Sequence, residues 1–225
     1  MSESDRHAGG PVRVRRGLRV GLTGGIASGK SEVGRVLEKE GAAVLDTDAV
    51  AHDLVRAGTP VYREVVEGFG EGILGADREI DRSVLGARVF ADPRARRALE
   101  AIVHPHVIRV VEGWFEEVTA TGRDAVALVP LLFEAGAERL CDAVICVVAP
   151  ETAVRERLRR RGLSDEDARR RVEAQLPAEE KARRSDYVVS NDGDLEALAE
   201  QTKELWKRIL EKERTHHGRP ETGKA

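Results

Sequence analysis

Short apolar runs alternate with longer amphipathic stretches along most of the chain. The runs lie at 19–23, 42–46, 125–129, 143–148 and 187–190 and are dominated by Val, Leu, Ile and Ala. Continuous apolar segments of this length fit strands buried on both faces. Helical patterns separate most of them. The first is marked by Val33, Val36 and Leu37. Alternating strands and helices predict an α/β fold, a five-stranded parallel sheet flanked by helices. Ligands of such sheets gather beyond the carboxyl ends of the strands, so chemistry is expected just after each run.

Two stretches exceed what the sheet needs. Residues 51–123 hold turn signals (Gly58-Thr59-Pro60, then Gly68, Gly70, Gly72 and Gly75) followed by helical patterns around 94–103 and 107–118. This reads as an inserted helical region beside the sheet. Residues 151–184 are rich in arginine: Arg155, Arg157, Arg159, Arg160 and Arg161, then Arg169, Arg170 and Arg171. Two helices joined by Gly162-Leu163-Ser164 are expected there, with Ser164 and Asp167 as a capping box that uses Asp in place of Glu. The core is then 18–50, 124–150 and 185–213. The polar ends, 1–17 and 214–225, are expected to be disordered tails.

Composition narrows the class. A chain of 225 residues, 41% hydrophobic, is long enough for one large domain with inserted subdomains. A formal net charge of -3 argues against a dedicated nucleic-acid binder. Cys141 and Cys146 lie five apart in one apolar segment, which suits neither a disulfide nor a zinc site, so a reducing cytoplasm is expected. No run approaches the ~18 apolar residues of a membrane span. The polar N-terminus lacks the apolar centre of a signal peptide.

The strongest chemical signal follows the first run. Gly24-Gly25-Ile26-Ala27-Ser28-Gly29-Lys30-Ser31 fits the phosphate-loop pattern Gly-x-x-x-x-Gly-Lys-Ser/Thr without a mismatch. Backbone N–H groups of such a loop cradle phosphate oxygens, Lys30 supplies charge to the β- and γ-phosphates, and Ser31 offers a hydroxyl to Mg²⁺. Asp46 and Asp48 close the second run. They share one face if the strand continues; a helix cap is the plainer alternative for either one. One carboxylate there suits Mg²⁺ or its water, and a second suits a proton-accepting role. The D-x-x-G and N-K-x-D signals of GTPases are absent. Pro130-Leu131-Leu132-Phe133-Glu134 either shapes a substrate pocket or packs the core. His104 sits in Val103-His104-Pro105-His106 and reads as capping, packing or pocket. Of the arginines, Arg157 and Arg161 share a helical face and suit a closing lid; the remainder suit a solvated surface.

Taken in order, these motifs resemble the dephospho-CoA kinase family. The resemblance rests on Leu22 to Ser31, Leu45-Asp46-Thr47-Asp48, His104-Pro105, Pro130 to Glu134, Arg157-Leu158 with Arg161 to Ser164, Arg171-Val172 with Gln175, and Ser185 to Val189 with Asn191. It covers about residues 18–210. It implies the P-loop NTPase fold and transfer of the γ-phosphate of ATP to the ribose 3′-hydroxyl of dephospho-CoA, the last step of coenzyme A biosynthesis. It also implies residue roles. Gly24, Gly25, Ile26, Ala27, Ser28, Gly29, Lys30, Ser31 and Glu32 would bind ATP, with Arg157 and Arg161 from a lid at 151–184. Asp48 would be the general base and Lys30 would stabilise the moving phosphoryl. Ser31 would hold Mg²⁺, with Asp46 in its outer shell. Residues 51–123 would form the CoA-substrate domain, with His104, Leu131, Leu132 and Phe133 near the acceptor. Three positions depart from the family pattern. Ala27 stands where Gly is usual and fits if its φ is negative. Glu32 stands where Thr is common and is expected to face away from the phosphates. Gly162 lacks an acid often found after the lid arginine. The competing readings are another P-loop small-molecule kinase, such as a nucleoside monophosphate kinase, and a non-catalytic nucleotide switch.

Overall fold

A computed structural model of the chain describes residues 16–216. Five parallel strands form one sheet: β1 (Arg19–Gly24), β2 (Ala43–Asp46), β3 (Ala125–Leu128), β4 (Ala143–Val148) and β5 (Tyr187–Ser190). Their spatial order is β2-β3-β1-β4-β5. Both neighbours of β1 therefore come more than 100 residues later in the chain: Gly21 is in register with Ala127 on one side and Val144 on the other. The strands match the apolar runs to within one residue at each end.

Helices cover both faces, as the buried runs require. On one side α1 (Lys30–Lys39) and α9 (Leu195–His216) pack Val33, Leu37, Leu198, Trp206 and Ile209 against Val20 and Leu22 of β1. On the other side Val111 and Phe115 of α5 (Pro93–Ala120) meet Ala125, Ala127 and Val144, together with Leu132 and Phe133 from the loop after β3. Each fully buried Leu or Phe contributes about 1.5–3 kcal/mol by removal from water. Gly21 makes the second layer possible. A Cβ there would lie 2.9 Å from Cys141 Sγ and 3.1 Å from Leu132 Cδ2.

The inserted region is helical and carries its own core. It contains α2 (Thr47–Leu54), α3 (Pro60–Phe69), α4 (Arg82–Ala91) and the first half of α5. Val61, Val65, Phe69, Ile73, Leu85 and Val89 form its apolar centre. Side-chain caps set the helix starts. Thr59 Oγ1 accepts from Tyr62 N at 3.0 Å, with Pro60 behind it. Asp81 accepts from Ser83 N and Val84 N at 2.8 and 3.1 Å. Asp92 accepts from Arg94 N at 2.8 Å, ahead of Pro93.

Four local expectations need correction. The helices expected at 94–103 and 107–118 are one 28-residue helix, with Pro105 inside it and His104 mid-helix. Proline removes one backbone donor, but α5 is held on both sides of that position. Leu99, Ile102 and Val103 pack into the inserted core, and Val107, Ile108 and Val111 pack into the sheet core. The 151–184 stretch forms three helices, not two: α6 (Glu151–Arg160), α7 (Asp165–Glu173) and α8 (Ala178–Arg184). The third has Pro177 as its N-cap and buries Lys181. Ser164 does cap α7, accepting from Asp167 N at 3.1 Å, while its hydroxyl donates to Asp167 Oδ2 at 2.7 Å. Finally, α9 runs to His216, past the expected core boundary at 213. The rest of the expected tails, at 1–15 and 217–225, lies outside the described residues. Cys141 precedes β4, and only Cys146 is on a strand; both are free thiols. Among the described residues no helix is long and apolar enough to cross a membrane.

Candidate active site

The phosphate loop leaves β1 at Gly24 and enters α1 at Lys30. Two of its glycines are required by geometry. Gly24 has φ +146°, and a Cβ there would lie 2.3 Å from Val147 O. Gly29 has φ +107°, and a Cβ would lie 2.1 Å from Asn191 Nδ2. Asn191, just past β5, donates from Nδ2 to Ser28 O at 2.7 Å. Arg157 of α6 donates from Nη1 to Ala27 O at 3.0 Å and Ser28 O at 3.3 Å. The loop's outward carbonyls are thus held from behind, and its N–H groups gather at the positive end of α1. Ala27 departs from expectation: its φ is +55°, in the left-handed region. Its methyl is buried against Leu158 of α6 and Ala168 of α7. Glu32 pairs with Arg35 one turn further along α1, yet it also lines the cleft at the phosphate loop.

Lys30 Nζ donates to Gly24 O at 2.9 Å and Gly25 O at 2.8 Å. Its pKa is lowered to about 8, chiefly by burial and then by the Lys181 cation, with Asp48 partly opposing both. Lys181 is fully buried. Its ammonium pairs with Glu134 Oε1 at 2.9 Å and donates to Pro130 O at 2.5 Å. Glu134 Oε1 also accepts from Leu176 N at 2.8 Å. One buried ion pair therefore ties the loop after β3 to the segment after α7.

The two acids at the end of β2 do not share a strand face. The strand stops at Asp46, and Asp48 lies in the first turn of α2. Asp46 is the N-cap and accepts from Asp48 N at 2.9 Å. Thr47 fixes this corner by donating from Oγ1 to Leu128 O at 2.8 Å. The helical turn sends Asp48 toward the phosphate loop. The surrounding protein raises the Asp48 pKa most, the Asp46 charge raises it further, and Lys30 lowers it.

Two cavities meet here. A cleft of about 540 Å³ runs along the phosphate loop and includes Lys30, Ser31, Arg157, Arg161 and Asn191. A second, largely apolar cavity of about 550 Å³ lies between the sheet and the inserted helices and includes His52, Arg82, Arg96, His104 and Arg171. Ile26, Asp48, Pro130, Leu131 and Gln175 line both. Burial lowers the His104 pKa, against the pull of Glu100 and Glu134. Of the apolar trio after β3, only Leu131 reaches the cavities. Leu132 and Phe133 are core residues, because the chain turns there to cover the sheet.

The arginines of the 151–184 stretch sort by partner. Arg155, Arg159, Arg160, Arg169 and Arg170 each pair with a neighbouring acid at the surface. Arg157 and Arg161 face the cleft. Arg171 faces the second cavity, its guanidinium 4.7 Å from the Phe90 ring of α4. Sequence reasoning left Lys181, Gln175 and Arg171 without roles; in a charge-rich stretch nothing marks which polar side chains turn inward. Among the described residues no group of three or more His, Cys, Asp or Glu side chains forms a metal cage.

The model of the dephospho-CoA kinase family matches residues 18–197. The chain belongs to that family. It is 47% identical over 190 residues to a dephospho-CoA kinase of Symbiobacterium thermophilum, covering 84% of this chain and 80% of that protein. It is 50% identical over 182 residues to that of Anaeromyxobacter dehalogenans, covering 80% and 86%. Its structure resembles the crystal structure of TT1252 from Thermus thermophilus, with a TM-score of 0.71 and 36% identity over 88% of this chain and 98% of that one. The fold is that of the P-loop NTPases. The protein is an ATP-dependent kinase that phosphorylates dephospho-CoA in coenzyme A biosynthesis.

Proposed function

We propose that the loop cleft takes the triphosphate of ATP, that the apolar cavity takes dephospho-CoA, and that transfer occurs where the two meet. The observation that carries this reading is the shared wall, with Asp48 in it. A carboxylate whose pKa is raised is a better proton acceptor than an ordinary one, and Asp48 stands where the ribose 3′-hydroxyl must approach the γ-phosphate. Asp48 removes the hydroxyl proton as the oxygen attacks. Lys30 leaves its loop carbonyls for the phosphates, and contact with their charge holds it in its protonated form. Backbone N–H groups from Gly24 to Ser31 receive the phosphate oxygens, and Arg157 and Arg161 close over them from the lid at 151–184. Residues 51–123 form the acceptor domain. His104 and Leu131 line the acceptor cavity; Leu132 and Phe133 support it from the core.

The oxygen donors at this site suit Mg²⁺, a hard cation that keeps several waters and binds mainly through substrate phosphates. Ser31 Oγ would hold it directly, and Asp46 through water. Once bound, it neutralises charge on the β- and γ-phosphates. The near-balanced charge and the small-molecule cavities support a cytoplasmic enzyme without nucleic-acid or membrane partners.

The deciding assay supplies purified protein with MgATP and dephospho-CoA and measures ADP and CoA. Equimolar products, abolished in Lys30→Ala and greatly slowed in Asp48→Asn, are expected. A fully active Asp48→Asn would refute the assignment of the base.

A further inference from the structure

Gln175 follows α7 in the short segment that leads to α8. Its backbone is fixed on both sides. Its own N–H donates to Val172 O at 3.1 Å, and the next N–H, of Leu176, donates to Glu134 Oε1 at 2.8 Å. Glu134 is in turn held by the buried Lys181. Its side chain lines both cavities, yet its amide oxygen Oε1 is buried without a hydrogen-bond partner. A buried acceptor left unpaired is costly, and a rotation of this side chain, which already lines the cavity junction, brings the oxygen to a donor on the ligand.

The chemistry of that donor can be narrowed. A carbonyl oxygen is an acceptor only, so it does not face phosphate oxygens. The group that enters the junction from the acceptor side is a ribose ring. Its 3′-hydroxyl gives its proton to Asp48. The adjacent 2′-hydroxyl is the remaining donor within one carbon of the reacting atom. We propose that Gln175 is a specificity-determining residue of the kinase: its amide oxygen accepts a hydrogen bond from the ribose 2′-hydroxyl of the acceptor and so aims the neighbouring 3′-hydroxyl at the γ-phosphate. The inference rests on the cavity assignment above. It adds that the enzyme selects ribose over 2′-deoxyribose, through a named atom.

The test pairs two enzymes with two substrates, dephospho-CoA and its 2′-deoxyribose analogue. Wild-type enzyme should lose roughly 10–100-fold in kcat/KM on the deoxy analogue, the scale of one buried polar group left unpaired. Gln175→Met should lose a similar factor on dephospho-CoA and lose little more on the analogue. Gln175→Glu, which keeps an acceptor at the same reach, should retain most of the discrimination; this outcome also separates hydrogen bonding from mere filling of space. A wild-type enzyme indifferent to the 2′-hydroxyl, or a Gln175→Met variant that discriminates as well as wild type, overturns the proposal. If Gln175→Met fails to fold by circular dichroism, the wild-type and Gln175→Glu results still decide: discrimination lost in folded Gln175→Glu counts against the proposal. A wild-type enzyme that makes CoA from dephospho-CoA but acts equally on the analogue defeats only this inference. Failure to act on dephospho-CoA at all would defeat the assignment beneath it.

Discussion

Replacing Ala27 by glycine should leave the protein about as stable as before while loosening its lid. Ala27 has φ +55°, a conformation that costs an L-residue with a Cβ roughly 1–2 kcal/mol. Glycine removes that strain. Two terms oppose the gain. Added freedom in the unfolded chain costs about 0.4–1 kcal/mol. Loss of a methyl that is only 8% exposed costs about 0.8 kcal/mol. The three terms nearly cancel, so global stability should move by less than about 1 kcal/mol. The methyl term is not spread evenly, however. Its partners are Leu158 of α6 and Ala168 of α7, both in the proposed lid segment. If the lid can open by itself, the lost contact falls on that local equilibrium, and about 0.8 kcal/mol corresponds to roughly a fourfold increase in the open population. Urea denaturation reads the first quantity, and amide hydrogen exchange resolved by segment reads the second. Exchange in α6 and α7 should quicken several-fold, with that of β1, β3 and β4 unchanged. A global loss above about 2 kcal/mol with unaltered lid exchange would refute the reasoning, since the methyl would then be supporting the sheet and not the lid.

Other expectations follow from the same contacts. Asp48→Asn should bind ATP almost normally and lose 10²–10⁴ in kcat, a typical range for a lost general base; nucleotide titration beside steady-state kinetics separates the two effects. Lys181→Met should destabilise by about 3–5 kcal/mol in urea melts, because Glu134 is left as an unpaired, mostly buried carboxylate; adding Glu134→Gln should recover part of the loss. ATP affinity should weaken above about pH 8, roughly tenfold by pH 9, as Lys30 gives up its proton; a flat binding curve from pH 7 to 9.5 would refute this. The sign reverses for folding. Between pH 8 and 10.5 the unfolded chain holds a proton at Lys30 that the folded chain has lost, so the stability of the nucleotide-free protein gains a rising contribution across that window.

How much of this was legible depended on what each position asks of its neighbours. The central strands were, because a parallel sheet covered on both faces demands unbroken apolar runs, and nothing else of that length competes at 143–148. The phosphate loop was, because its chemistry is local. Pro105 misled because proline reports on its own turn of helix and not on the two cores that hold α5 straight through it. Leu132 and Phe133 misled in the same way: apolar residues after a strand fit a pocket wall and a core layer equally, and the missing Cβ of Gly21 decided between them from 111 residues away. The alternation of Asp46 and Asp48 assumed a continuing strand, whereas Asp46 ends it by capping α2. Asn191, Lys181 and Gln175 carry no local mark of their roles. Each is polar in a polar setting, and only burial against the loop, the Glu134 carboxylate or the cavity junction gives it meaning.

The strand order has a consequence for synthesis on the ribosome. β1 is made first among the strands, yet it hydrogen-bonds only to β3 and β4, and the amide that holds Ser28 O belongs to Asn191. A nascent chain that has released its phosphate-binding motif therefore has no partner strand for it until residue 125 emerges, and the rear support of the loop waits first for Arg157 and is complete only with Asn191. Because non-local pairing must wait for its partners, the apolar β1 stays unpaired while about 100 further residues are made, a period in which aggregation or chaperone capture competes with folding. Nucleotide therefore cannot template this cradle early: competence to hold ATP arrives late, when the last strand has left the exit tunnel.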